Sequence, residues 1–324
     1  MLGASIVCAT ALSAQTPAKK VVASAAPAGN TPAGATFVGS DTCATCHDAV
    51  AKGFADNPHT KMPLMHGNAP GVTCENCHGA GSEHVAGGGD VTKIFNPSKH
   101  SNKEVNETCL KCHASTHQNF QRSPHARADV GCINCHSIHG ADAAAARQTP
   151  FRSLVKVATF PISPLSGEDK EKLLKAPAPA LCFQCHNDVK PQFDMPFHHK
   201  VNEGAVNCTD CHDPHGTFGN NNLRSTADQN MICTKCHQEK RGPFIYEHAA
   251  VKGEGCLACH TPHGSQNARL LNLANIDTLC AQCHSMVATN TIHNFSWSQS
   301  SDVSPCVNCH TMVHGSNLDP AFLR

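Results

Sequence analysis

The sequence predicts a chain with little regular secondary structure, in which short helices and loops wrap around an elongated stack of bound groups in five repeated units. Three observations predict it. Ten copies of Cys-x-x-Cys-His recur along 324 residues and take up twenty of the twenty-one cysteines. Aromatic residues make up only 5% of the chain, against 20 Pro and 23 Gly, so the polypeptide cannot build an ordinary apolar core. Isolated histidines recur at steady distances from the motifs, which pairs the motifs into repeats.

The motifs read CATCH (Cys43, Cys46, His47), CENCH (Cys74, Cys77, His78), CLKCH (Cys109, Cys112, His113) and CINCH (Cys132, Cys135, His136). CFQCH (Cys182, Cys185, His186), CTDCH (Cys208, Cys211, His212) and CTKCH (Cys233, Cys236, His237) follow. CLACH (Cys256, Cys259, His260), CAQCH (Cys280, Cys283, His284) and CVNCH (Cys306, Cys309, His310) close the series. Composition alone would give about 0.1 such match in a chain of this length. Two thiols three positions apart can add to the two vinyl groups of one haem, and the adjacent histidine then faces the iron. A thioredoxin-like dithiol occurs once and carries no attached histidine, and zinc ribbons do not repeat a histidine after every Cys-x-x-Cys. The chain is therefore expected to hold ten covalent c-type haems, with the porphyrins supplying the missing core.

The repeat unit is a motif, an isolated histidine, a second motif and a trailing histidine. The step from the first motif histidine to the isolated one is twelve residues for His47 to His59, His113 to His125 and His186 to His198. It is eleven for His237 to His248 and nine for His284 to His293. The trailing histidines His139, His215 and His263 lie three residues after a motif histidine, and His314 lies four after; a glycine follows each. In the first unit the candidate is His84, six residues after His78. Count and phase make these ten the expected sixth ligands of ten irons. His66 competes with His59, and His199 with His198; the twelve-residue phase and the shared H-x-x-V favour His198. His100 and His117 are left over, and the seven methionines show no comparable phase. Ligation by two histidines closes the coordination sphere to substrate and favours the low potentials of anaerobic respiration.

Residues 1–14 read as the end of a secretory signal: Leu2 to Leu12 is too short to span a bilayer and Leu12-Ser13-Ala14 ends in small residues. Val7 is too large for a lipobox, so Cys8 is read as part of the cleaved signal. Residues 15–36 form an Ala/Pro/Thr tether. A four-haem segment over 37–140, a linker over 141–181 with a helix over Glu168 to Lys175, and a six-haem segment over 182–324 complete the expected organisation. Lys plus Arg and Asp plus Glu balance at 25 each, which gives no sign of a nucleic-acid partner.

The segments CENCHGAGSEHVAGGGDVTKIF, MPFHHKVNEGAVNCTDCHDPHGTFG and CLACHTPHGSQNARLL resemble the decahaem periplasmic cytochromes of the MtrA/DmsE type, and the resemblance runs over about residues 37–324. It implies a bis-histidine haem wire inserted in an outer-membrane β-barrel, linking periplasmic donors to an extracellular cytochrome or terminal reductase that acts on metal oxides, sulfoxides or other external partners. The same architecture can carry electrons inward. A soluble periplasmic shuttle is the alternative function class. A multihaem reductase is a third, disfavoured because no motif replaces its histidine with lysine and Tyr246 is the only tyrosine.

Overall fold

The computed structural model describes residues 33–61, 71–139, 173–225, 228–284 and 306–323. The signal, most of the tether, residue 140, residues 141–172 of the expected linker, and His66 and His293 lie outside the described residues. Short elements dominate, as the composition predicts. Among the described residues the longest helix is Asn102–His113, with 12 residues, and strand is limited to a two-residue antiparallel ladder of Phe197–His198 with Gly264–Ser265. Among the described residues the buried apolar side chains are Ala80, Phe95, Val105, Phe120, Ala176, Phe193 and Val201. That is too few for a polypeptide core and leaves the interior to the bound groups. No helix of the described residues is long and apolar enough to cross a membrane.

The two motifs of a unit are built differently. The first motif sits at the end of a helix: Ser40–Ala44, Asn102–His113, Ala178–Cys182, Asn230–Thr234 and Ile276–Ala281. Ser101 and Glu104 close the start of the longest of these with a capping box, and Asn275 caps Ile276–Ala281 by accepting from the Thr278 N–H. The second motif instead opens a helical turn on its own first cysteine, at Cys74–His78, Cys132–Cys135, Cys208–Cys211, Cys256–Ala258 and Cys306–Asn308. In three units the residue just before the second cysteine reaches back to the preceding backbone. Asn76 accepts from the Thr73 N–H, Asn134 from Gly131 and Asp210 from Asn207, each at 2.7 Å. The variable positions of these motifs are therefore helix caps.

A second cap joins the two motifs. The polar side chain three residues before the first cysteine accepts the backbone N–H of the first cysteine of the second motif. Asn106 does so for Cys132 at 2.8 Å, Asn230 for Cys256 at 2.9 Å, Asp277 for Cys306 at 2.9 Å and Ser40 for Cys74 at 3.4 Å. Pro179 occupies that position in the third unit and has no acceptor to offer. The leading thiols of the two motifs lie within hydrogen-bonding reach in every unit, the uncapped third one included: Cys43 with Cys74, Cys109 with Cys132, Cys182 with Cys208, Cys233 with Cys256 and Cys280 with Cys306. The pairing of ten motifs into five units is thus a physical contact.

The third, fourth and fifth units join the unit before them through Gly216, Gly264 and Gly315, each of which follows a trailing histidine. A Cβ at Gly216 would lie 2.8 Å from the Asn119 carbonyl, and one at Gly264 would lie 1.7 Å from the Gln192 carbonyl. At Gly315 it would lie 2.1 Å from the Phe244 ring. Each contacted residue belongs to the preceding unit, so only glycine lets the backbones approach. The same junction spans the expected seam between segments: His125 donates from Nδ1 to the Pro214 carbonyl at 2.9 Å. Of the helix expected over Glu168 to Lys175, residues 168–172 lie outside the described residues and the remainder is not helical. Leu173 has φ +55° and Leu174 forms an antiparallel bridge with His136, so backbone pairing to the motif overrides the local helical propensity.

Asn106 is 7% exposed and accepts the Cys132 N–H at 2.8 Å. Asn106→Ala is expected to lower the unfolding free energy by roughly 1–3 kcal/mol, read as an earlier thermal transition in the Soret circular dichroism, with Asn106→Asp losing less.

Candidate haem-binding sites

An iron held between two imidazole nitrogens, each about 2 Å from the metal with the ring centre roughly 1 Å beyond, sets two ring centres about 6 Å apart. Nine motif histidines have a second histidine ring at that separation. His47 faces His84 at 6.2 Å, His78 faces His139 at 5.9 Å and His113 faces His59 at 6.0 Å. His136 faces His215 and His186 faces His125, both at 6.1 Å. His212 faces His263 at 6.1 Å and His237 faces His199 at 6.3 Å. His260 faces His314 at 6.3 Å and His284 faces His248 at 6.1 Å. A space the width of an iron between nitrogen donors, beside a pair of thiols, fits haem c at each place. His310 is described, but His293, the remaining in-phase histidine, is not.

The pairs cross unit boundaries by a simple rule. The first motif of a unit takes the isolated histidine of the unit before it, as His113 takes His59 and His284 takes His248. The second motif takes the trailing histidine of the unit after it, as His78 takes His139 and His260 takes His314. His47, with no unit before it, takes His84 of its own unit. The second cysteines continue the series. Cys77 is within electrostatic reach of Cys109 and Cys112, Cys135 of Cys185, Cys211 of Cys236, and Cys259 of Cys280 and Cys283. Motifs consecutive in sequence are consecutive in space.

Nine of these rings are aimed by a hydrogen bond at Nδ1, which leaves Nε2 to bind metal. Among the motif histidines, His78 donates to the Phe95 carbonyl, His212 to Asn221 and His260 to Arg269, all at 2.8 Å, and His310 to Ala321 at 2.5 Å. Among their partners, His84 donates to the Asp90 carbonyl at 2.9 Å and His59 to the Asn57 side chain at 2.8 Å. His199 donates to the Pro262 carbonyl at 2.5 Å and His263 to the Gln192 side chain at 3.2 Å. Asn221 and Arg269 hold left-handed backbone, φ +53° and +60°, to present those carbonyls, a strained conformation maintained by the bridges His212 to Leu223 and His260 to Leu271. Burial favours the neutral form, the one that binds metal, in four of the partner rings. It lowers the pKa of His59 and His263, and takes His215 and His314 down to about 4.

The same features place the chain among known proteins. The doubled CXXCH motif family matches residues 165–191, 198–242 and 248–289, and the cytochrome c-type protein NrfB-like family matches 74–159. Multiheme cytochrome MtrA of Shewanella baltica is 30% identical over 292 residues, 86% of this chain and 79% of that protein. The chain belongs to the MtrA family of multihaem cytochromes. C-type polyheme cytochrome OmcC of Geobacter sulfurreducens is 28% identical over 227 residues, 64% of this chain but 27% of that protein. Cytochrome c-type protein NrfB of Escherichia coli is 33% identical over 106 residues, 30% of this chain and 52% of that protein. This MtrA-family chain is a c-type, haem-binding electron-transfer protein.

One expected ligand of this cytochrome is displaced. His198, favoured by the twelve-residue phase, lies in the ladder with Gly264, and its Nε2 bonds the Glu203 carboxylate at 3.0 Å. That bond, together with one to the Met195 carbonyl, raises its pKa and favours the imidazolium, which binds no metal. His199, one step along extended backbone, projects to the opposite face and meets His237. Its Nδ1 partner, the Pro262 carbonyl, matches the Pro214 carbonyl that receives His125. Position relative to the next unit's Pro-His, and not the twelve-residue distance from the preceding motif, decides which of the two rings stands opposite His237. The spacing also does not reveal the inter-motif cap or the carbonyl turns. Their signals are the Ser, Asn or Asp three residues before the first cysteine and the Leu eight residues after His215 and His263.

His199→Ala is expected to turn one haem five-coordinate and high-spin in the ferric absorption spectrum, while His198→Ala leaves every haem low-spin. Gly264→Ala is expected to produce one high-spin haem as well, since a Cβ there displaces His263 from its place opposite His212.

Proposed function

We propose that this chain holds ten haems, each between a motif histidine and a second histidine, and conducts electrons along them in sequence order across the outer membrane inside a β-barrel partner. The observation that carries the reading is the unbroken series of nine histidine pairs, interlocked from the first unit to the last. The proposed second ligands are His59, His84, His125, His139, His199, His215, His248, His263 and His314, with His293 opposite His310 as the tenth. Bound haem supplies a one-electron iron couple. The chain's part is to take both axial positions, which leaves no site for substrate and makes it a carrier and not an enzyme.

Several features support the membrane placement. A bilayer core of about 30 Å needs several haems in line to bridge it. The described residues offer no apolar helix, so backbone at membrane depth requires a barrel as sheath. Similarity to MtrA runs over 86% of the chain, which favours a periplasmic origin and periplasmic and extracellular redox partners. A soluble periplasmic shuttle is the second reading, favoured by the NrfB-like match over 74–159.

The cytochrome reconstituted with its barrel in liposomes that enclose a reducible dye is expected to pass electrons from an external reductant only when both proteins are present. Failure to associate with a barrel, together with full-rate reduction of a soluble periplasmic enzyme, establishes the shuttle instead. The oxidised protein is expected to show neither a high-spin band nor a methionine-to-iron charge-transfer band; a stoichiometric high-spin haem overturns the closed coordination.

A further inference from the structure

His117 falls outside the repeat pattern, yet its ring lies between the ligands of two consecutive motifs. It stands 3.9 Å from His215, centre to centre, with the planes 26° apart, and 5.9 Å from His113. The first distance is face-to-face contact. It is the one histidine–histidine ring contact among the described residues that falls well short of the 6 Å needed to admit an iron. His117 is not placed to serve the His113 iron. It follows His113 by four residues, with its N–H on the His113 carbonyl at 3.0 Å, so both side chains rise from one face of one turn, whereas His59 comes from another unit.

His215 is restrained on two sides. The Asp213 carboxylate sits 3.4 Å from its Nδ1, and the His117 ring covers its face. An imidazole bound to iron through Nε2 can still rotate about the metal–nitrogen bond. Its plane, relative to the opposite ligand, sets the splitting of the iron d orbitals and with it the spectrum and potential. The planes of His215 and His136 are 15° apart, close to parallel, whereas those of His59 and His113 are 85° apart.

We propose that His117 is a positioning residue that clamps the plane of the His215 ring and so sets the ligand geometry and potential of the haem held by His136 and His215. This rests on the ligation proposed above. The side chain needs only a flat ring at that place, since contact with the His215 face is what restrains rotation.

The test uses the full-length haem-loaded protein with His117→Ala, His117→Phe and, as a check on ligation, His215→Ala. Low-temperature electron paramagnetic resonance and a redox titration are the readouts. His117→Ala is expected to keep every haem low-spin while shifting the g values of one near-parallel signal and moving one redox transition. His117→Phe is expected to restore both. An unchanged spectrum and titration in His117→Ala overturn the proposal. A shift that Phe does not restore also overturns it, because ring packing is then not the cause. A new high-spin haem in His117→Ala overturns it by making His117 itself a ligand. His215→Ala is expected to yield one high-spin haem; if all haems stay low-spin, the ligation of His215 falls and the clamp with it.

Discussion

Histidine rings contributed by neighbouring units and held about 6 Å apart are the constraint on which the rest of this structure depends. With so little buried apolar side chain, the polypeptide has no other interior to organise it. Eight of the nine observed pairs join two different units, so each bound group both fills the interior and ties one unit to the next. Among the described pairs, only that of His47 and His84 closes within one unit. A repeat built this way resembles other repeat arrays in relying on its neighbours, except that histidine rings set at metal-ligand spacing stand where an apolar face would be.

The remaining features serve that constraint with very few residues. Motif-to-motif caps at Ser40, Asn106, Asn230 and Asp277 set the distance between two haem attachment points with one side chain each. Left-handed residues aim carbonyls at His212 and His260. Glycines bring the trailing histidines close enough to reach the preceding unit. In the first unit a buried carboxylate does comparable work: Glu75 accepts the N–H groups of Val38, Gly39 and Gly81, each at 2.9 Å, and anchors the start of the described chain to the second motif. Such short polar devices suit a wrapping that cannot call on apolar packing.

Order along the series follows from the same economy. Because motif pairs touch through their first cysteines and successive units through their second, sequence order and spatial order coincide. Where the chain departs from strict repetition, as with the stacked His117 and the paired His198 and His199, it has room to treat individual haems differently.

The identity of the bound group, the five-unit repeat and the scarcity of regular structure are all legible in the sequence, because covalent attachment demands Cys-x-x-Cys-His at invariant spacing. The set of histidines whose rings face the motif histidines is largely legible too, since repeated units place equivalent histidines at nearly equal counts. Which histidine meets which motif is not, because partners come from adjacent units and no local spacing encodes a contact between them. His198 and His199 show the limit most clearly. They are neighbours with the same chemistry, and only the strand that turns one toward Glu203 and the other toward His237 tells them apart. Local covalent chemistry is written residue by residue, whereas ligand exchange between units depends on backbone approach at Gly216, Gly264 and Gly315, which only the tertiary structure decides.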